Sequence, residues 1–155
     1  MRNIFRTAIL ACLFLTGIAH AQPHPTSAQQ QIQPLLDEMM LAANVHDTDR
    51  FLTVYLHDPS LLFVFNGTVI HGWKDLRDQQ LKWWNNGKSD VVYSLRGAPE
   101  FTVLCPNLVV TTQPMASHRT LPDGSVHGSD VVVTSVWKAL PEGWRIVVVH
   151  ESTVH

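Results

Sequence analysis

The chain has 155 residues, of which 45% are hydrophobic and 15% charged, and its formal net charge is -2. That length fits one domain with a sizeable core, preceded by a short leader. The composition offers no basic stripe for nucleic acid and no polybasic segment for a membrane surface, so the expected partner is a small molecule or a second copy of the chain.

The first 21 residues are predicted to be a cleaved signal peptide. Arg2 and Arg6 supply the positive start, residues 9–15 the apolar run, and residues 19–21 the small-residue cleavage motif. The apolar run is shorter than the roughly 20 residues that a membrane span requires. We therefore expect export to the periplasm or the medium, with no membrane span, a leader at residues 22–26 and one domain at residues 27–155.

Three helices are predicted in the first half of the chain. Ser27 and Gln30 form a capping box for the first, whose apolar residues recur at helical spacing up to Met40, with Pro34 predicting a kink or a later start. Asp47 caps a short second helix that carries Phe51, Leu52 and Tyr55. The third is expected at residues 73–86, with Gly87 as its stop.

Strands account for the rest. The Asn66-Gly67 pair joins a predicted hairpin of residues 61–65 and 68–71, because both turn residues tolerate positive φ. Further strands are expected at residues 91–96, 101–104, 108–120, 125–139 and 144–153. Helices followed by a mainly antiparallel curved sheet indicate an α+β fold. Cys105, in an apolar run, is expected to be buried.

The two last turns, residues 121–124 and 140–143, are predicted to close two-residue loops, which fixes the faces of the last three strands. His118 then lies opposite His127, and Val133 opposite His150. Cross-strand partners share a face, so serine, histidine and Trp137 gather among aliphatic residues on one face. Arg119, Asp130 and Glu151 fall on the other face with most of the charge.

The first face is predicted to line a pocket, because unpaired polar groups in a solid core cost about 1 to 3 kcal/mol each. The alternative is that these serines and histidines lie at the rim of the sheet and are solvated. The predicted ligand contacts are Tyr55, Trp84, His118, Trp137, His150 and Ser152.

His150 is the candidate catalytic residue, a general base near neutral pH. The alternative is a histidine held by a backbone carbonyl. No metal site is expected, because His127 and the strand position of His150 lie about 20 Å apart along the sheet, and no cofactor is expected.

The order of these features resembles the SnoaL-like, DUF4440-type branch of the NTF2-like superfamily. The resemblance rests on paired N-terminal helices, Asp58-Pro59 before a strand, Asn66-Gly67 leading to residues 70–72 and a helix, and a final hairpin with Trp137-Lys138, residues 143–146 and residues 150–152. It implies a cone with an interior pocket, formed by three N-terminal helices packed on the curved sheet, and commonly a homodimer.

The resemblance identifies a fold more than an activity. Members include isomerases, cyclases and dehydratases, alongside domains that only bind or assemble. The proton-abstracting aspartate of the steroid isomerases is replaced here by apolar residues 62–64. The sequence therefore predicts an exported domain that binds a mostly apolar small molecule, with cofactor-independent isomerase, cyclase or hydratase chemistry as its possible activity. The alternative is a noncatalytic dimerisation or assembly module, based on Val132, Val136, Val147 and Val149 on the outer face.

Overall fold

The computed structural model describes residues 26–154. The predicted signal peptide and all but the last residue of the predicted leader lie outside this range. Within it, no helix has both the length and the apolar character needed to cross a membrane.

The helices begin and end close to the predicted positions. Helix α1 spans Ser27–Asn44 and runs through Pro34, and its N-cap is Thr26, whose Oγ1 accepts a hydrogen bond from the Gln29 amide at 3.1 Å. The cap is therefore one residue earlier than the predicted Ser27. Helix α2 is a single turn, Thr48–Phe51, capped by Asp47 and followed by a 3-10 turn at Leu52–Val54. Helix α3 spans Trp73–Trp83.

The described residues form seven strands in one sheet. Their bounds are β1 Leu62–Phe65, β2 Thr68–His71, β3 Val92–Leu95, β4 Glu100–Cys105, β5 Leu108–Thr120, β6 Val126–Leu140 and β7 Gly143–Val154. The order across the sheet is β2-β1-β7-β6-β5-β3, with β4 also paired to β5. All pairs are antiparallel except β1 with β7. The result is an α+β fold with a curved mixed sheet that does not close into a barrel.

The hairpin at Asn66-Gly67 has the predicted geometry. Asn66 has φ 44° and Gly67 φ 84°, and Phe65 pairs directly with Thr68. Both turn residues thus occupy the left-handed region that a two-residue loop of this type requires.

The predicted register between β5 and β6 is wrong by one residue. The turn is a three-residue loop, because the Leu121 amide donates to the Ser125 carbonyl at 2.8 Å and Gly124 takes φ 82°. Arg119, and not His118, therefore lies opposite His127. A one-residue slip exchanges the faces of a strand, so the odd-numbered residues of β5, including Gln113 and Arg119, face inward.

The predicted register between β6 and β7 holds only for the four pairs next to the turn. Trp137 faces Ile146, but Val136 pairs with Val148, so Val147 is an extra residue that bulges from the ladder. Beyond the bulge the faces of β7 are exchanged. Val133 therefore lies opposite Glu151 rather than His150.

The core lies between α1, the 3-10 turn and the inner face of the sheet. Its fully buried side chains include Ile32, Leu52, Phe63, Trp137 and Ile146. Cys105, which was expected to be buried, is exposed, because it ends strand β4 at the edge of the sheet, next to a register shift.

Candidate functional site

A cavity of about 290 Å³ opens between the inner face of the sheet and helices α1 and α3. Helix α1 contributes Leu36, Met39, Met40 and Ala43, and the end of helix α3 contributes Gln80, Trp83 and Trp84. Inward residues of β5, β6 and β7 form the opposite wall. The volume of the cavity lies just below the range of roughly 300 to 1,000 Å³ that is typical of ligand pockets.

Six aromatic side chains line the cavity: Phe51, Tyr55, Phe65, Trp83, Trp84 and Tyr93. Four of them form a continuous cluster, with ring centroids 5.6 Å apart for Phe51 and Tyr55, 5.0 Å for Phe51 and Trp84, and 6.3 Å for Trp84 and Tyr93. Phe65 and Trp83 meet at 5.6 Å. These contacts fix the rings as a rigid apolar wall.

The polar residues of the cavity come mainly from the sheet. Gln113, Ser117 and Arg119 on β5, Ser129 on β6, and Glu151 on β7 all line it. The Arg119 side chain is about half exposed, and its Nε lies 3.7 Å from Asp90, which places its charge at the mouth. The buried Gln113 leaves its Oε1 without a hydrogen-bond partner. This oxygen is also closed off from solvent, so it lies behind the surface of the cavity.

Glu151 is the carboxyl group among the residues that line the cavity. Burial raises its pKa from 4.5 to about 7, because removal from water disfavours the charged form. Within residues 26–154, no side chain is seen to donate a hydrogen bond to it or to pair with it as an ion. At neutral pH this carboxyl group is close to half protonated, so it can both accept and give up a proton.

Two tyrosines lie within the electrostatic reach of Glu151. Burial raises the pKa of Tyr55 well above its ordinary value, and the charge of Glu151 adds to the rise. Burial, followed by the Glu151 charge, also raises the pKa of Tyr93, against opposing effects of Trp84 and Arg119. Both phenols therefore stay protonated at neutral pH. The Tyr93 oxygen accepts a hydrogen bond from Trp84 Nε1 at 2.9 Å, which leaves its own O–H available as a donor.

The structure places only two of the six predicted contact residues on the cavity wall. Tyr55 and Trp84 line it. Trp137 is on the same face but lies fully buried in the core, where its Nε1 donates to Thr111 Oγ1 at 2.9 Å. Trp137 therefore packs the core and does not line the cavity.

The other three predicted contacts, His118, His150 and Ser152, lie on the opposite face of the sheet. Their neighbours in sequence, Ser117, Arg119, Glu151 and Thr153, are the residues that line the cavity. His150 is exposed, and His118 and Ser152 are partly exposed. The predicted placement of His150 in the pocket is wrong, because the bulge at Val147 exchanges the faces of β7.

Sequence reasoning missed Gln113, Arg119 and Glu151, all of which it placed on the outer face. For β5 a signal was present, since Pro122-Asp123-Gly124 suits a type I turn followed by a left-handed glycine, the usual three-residue hairpin loop. For Glu151 no signal is apparent, because nothing in the valine run 147–149 marks which residue bulges. The face of Glu151 follows from tertiary packing.

The described residues contain no group of three or more histidine, cysteine, aspartate or glutamate side chains that could hold a metal ion. The cavity lining has one carboxyl group and no histidine. The chemistry available from these side chains is therefore hydrogen bonding, ion pairing and proton exchange.

No protein-family model matches this chain, and no curated protein matches it. Solved structures do match. One is an NTF2-like protein of unknown function from Shewanella oneidensis, with TM-score 0.65 and 20% identity over 79% of this chain and 97% of that one.

Two further matches have different names. A ketosteroid isomerase-like protein from Erwinia carotovora atroseptica aligns with TM-score 0.66 and 14% identity, over 83% of this chain and 98% of that one. The association domain of CaMKII from C. elegans aligns with TM-score 0.65 and 18% identity, over 80% and 94%. At these identities the likeness concerns the fold, which is NTF2-like.

Proposed function

With the NTF2-like fold as the premise, we propose that this domain binds a mostly apolar small molecule in its cavity and exchanges a proton with it through Glu151, without a cofactor. A single observation carries the proposal: the carboxyl group of Glu151, with a pKa of about 7, lies on the wall of an aromatic cavity and has no described partner.

The lining supports an apolar ligand with one polar end. Methionines of α1 and the aromatic wall formed by Tyr55, Trp84 and their neighbours surround most of the space. Apolar area removed from water contributes about 25 cal/mol per Å². The Glu151 carboxyl lies on the sheet side, so it would orient the polar end of the molecule.

Glu151 takes the acid–base role that the sequence suggested for His150. A general acid or base works best when its pKa is near the working pH, since both protonation states are then populated. Glu151 meets that condition, and Tyr93 adds a donor on the same cavity. These groups suffice for the proton transfers that isomerases, cyclases and hydratases use.

The decisive experiment fills the cavity and leaves the fold intact. Val131 and Val132 are neighbours on β6, and Val131 lines the cavity while Val132 lies on the other face. Val131→Phe would occupy the space, and Val132→Phe is the matched control. The readout is the fluorescence of N-phenyl-1-naphthylamine, a neutral apolar dye, together with mass spectrometry of small molecules that copurify.

We expect the dye and any copurifying ligand to bind the native protein and Val132→Phe, and to bind Val131→Phe at least about tenfold more weakly. Circular dichroism and thermal unfolding confirm that each variant is folded. A native protein that binds neither dye nor ligand, or a folded Val131→Phe that binds as tightly as the control, would overturn the proposal.

The proposal also includes export of the protein and its membership of the SnoaL-like branch. The charged start, apolar run and cleavage motif of residues 1–21 support secretion through a cleaved signal peptide. The motifs at Asp58-Pro59, Asn66-Gly67 and residues 143–146 support the SnoaL-like branch. N-terminal sequencing of the protein recovered from the periplasm or medium tests the first, with Gln22 as the expected start.

Assembly into a homodimer is the second candidate function, and the outer face of the sheet favours it. That face carries half-buried apolar side chains, with the exposed His150 between them: Val64, Val110, Pro114, Val132, Val136 and Val148. Val149, which was predicted for this face, is buried inside. A neighbour in fold, the CaMKII association domain, is named for association.

Light scattering at micromolar concentration tests the assembly candidate. A dimer that Val136→Glu converts to a folded monomer would support it, since a charge at the centre of an apolar interface is costly. A native protein that remains monomeric at all concentrations would exclude it. Binding in the cavity and dimerisation through the outer face use opposite surfaces, so the two results are independent.

A further inference from the structure

The cavity has an unusual concentration of groups that attract positive charge. Six aromatic side chains line it, among them Tyr55, Trp84 and Tyr93. The face of an aromatic ring carries negative electrostatic potential, and a cation within about 6 Å of the ring centroid is stabilised by it. In a space of about 290 Å³, a small cation would be close to several rings at once.

Glu151 is an acceptor on the sheet side of the cavity, and the Gln113 side chain lies in the same row of the sheet, with Val133 between them on β6. A ligand that pairs with Glu151 must present a hydrogen-bond donor. An ammonium group has three donors and the charge that an ionised Glu151 lacks as a partner.

Arg119 is the residue of the cavity lining whose charge would repel a cation. Its side chain is about half exposed and its Nε lies 3.7 Å from Asp90. Its charge affects the pKa of Tyr93 but not that of Glu151, which burial alone raises. Arg119 therefore pairs with Asp90, and Glu151 remains half-buried on the cavity wall.

We infer that the preferred ligand of this cavity is an amphipathic organic cation, an apolar molecule with one amine or ammonium group that pairs with Glu151 inside the aromatic wall. The inference rests on the proposed function, since it names the class of molecule that the cavity binds. The main competitor is an apolar carboxylic acid held at the mouth by Arg119.

The electrostatic surroundings of Glu151 are simple enough for a clear pH test. The titratable or charged residues of the cavity besides Glu151 are Tyr55, Tyr93 and Arg119. The elements packed around it otherwise contribute neutral side chains: Leu36, Met39 and Met40 from α1, Gln80, Trp83 and Trp84 from the α3 end, Phe65 from β1, and Ser129, Val131 and Val133 from β6. Between pH 5.5 and pH 8, Glu151 is therefore the cavity residue expected to change charge.

The test uses three probes that share a naphthalene ring and differ only in the end group: naphthylethylamine, naphthylethanol and naphthylacetic acid. Affinities are measured by calorimetry on the purified native protein, on Glu151→Gln and on Glu100→Gln, a control glutamate that is exposed on β4. We expect the amine to bind at least about tenfold more tightly than the alcohol at pH 8.

The amine affinity should fall by more than about tenfold from pH 8 to pH 5.5, as Glu151 takes up a proton while the amine stays charged. Glu151→Gln should lose both the preference and the pH dependence, and Glu100→Gln should keep them.

The outcomes separate this inference from the proposed function. If the alcohol binds at least as tightly as the amine, the inference of a cationic ligand is wrong. The proposal that the cavity binds an apolar molecule would still stand. If the acid binds most tightly and Arg119→Gln abolishes that preference, the anchor is Arg119 and the inference is overturned. If none of the three probes binds and the neutral dye also fails, the proposed function itself has failed.

Discussion

Gln113 and Glu151 lie on strands β5 and β7 on either side of Val133 of β6, in a row that continues to Phe65 of β1, and both side chains line the cavity. The Glu151 side chain is half-buried, and its carboxyl has no described hydrogen-bond partner. A ligand in the cavity can therefore supply the donor that this carboxyl lacks.

The stability of the protein should fall as the pH rises from about 4.5 to about 7. Because the pKa of Glu151 is raised to about 7 in the folded state, the folded protein holds a proton that the unfolded chain has already released. The full stability is therefore present below about pH 4.5 and is lost up to about pH 7. At about 1.4 kcal/mol for each tenfold change in proton affinity, the loss is on the order of 3 kcal/mol as an upper bound.

Urea unfolding of the native protein and of Glu151→Gln at four values of pH measures this effect. The neutral amide should flatten the pH profile and raise the free energy of unfolding at pH 8, with little change at pH 5. Identical profiles for the two proteins would contradict the assignment of Glu151 to the interior.

The fold could be predicted because its main signals are local. Helix caps, the Asn66-Gly67 turn and the Pro141-Gly143 turn act within a few residues, and the structure has elements at each of these places. The alternation of β6 also gave its inner face correctly, with Val133 and Trp137 both buried.

The site could not be predicted because it depends on one residue of register. The loop at 122–124 holds three residues rather than two, and Val147 bulges from β7. Each shift exchanges the faces of a strand. Together they replaced His118 and His150 by Arg119 and Glu151, and so changed the predicted chemistry of the pocket from an imidazole to a carboxyl group.

The bond between Trp137 and Thr111 should stabilise the core without affecting ligands. Both side chains are fully buried, and Trp137 Nε1 donates to Thr111 Oγ1 at 2.9 Å. Thr111→Val keeps the shape and removes the acceptor, so the indole N–H remains buried and unpaired. We expect a loss of about 1 to 3 kcal/mol in the free energy of unfolding.

Chemical denaturation of Thr111→Val measures the loss, and dye binding measures the cavity. Thr112→Val is the matched control, because Thr112 is the next residue of β5, lies on the other face and is partly exposed. It should leave the free energy of unfolding nearly unchanged. Weakened binding in a stable Thr111→Val protein would indicate that Trp137 contacts the ligand after all.

The three-residue loop at residues 122–124 should depend on its glycine. Gly124 has φ 82° with nothing near the position of a Cβ atom, so the cost of substitution comes from the backbone alone. Gly124→Ala should destabilise the protein by about 1 kcal/mol, and Gly124→Asn by less, because asparagine tolerates the left-handed region. Thermal unfolding of the two variants gives the order, and equal stabilities would contradict the three-residue loop.

The neighbours His150 and Glu151 give the sharpest test of which face forms the site. His150 is exposed on the outer face, and Glu151 faces the cavity. His150→Gln should leave both the affinity for a naphthyl amine and the pH dependence unchanged, with the stability within about 0.5 kcal/mol of the native value. Glu151→Gln should abolish the pH dependence of the same affinity. If His150→Gln removed it instead, β7 would have the register without a bulge, and the pocket would be the imidazole-lined one that the sequence predicted.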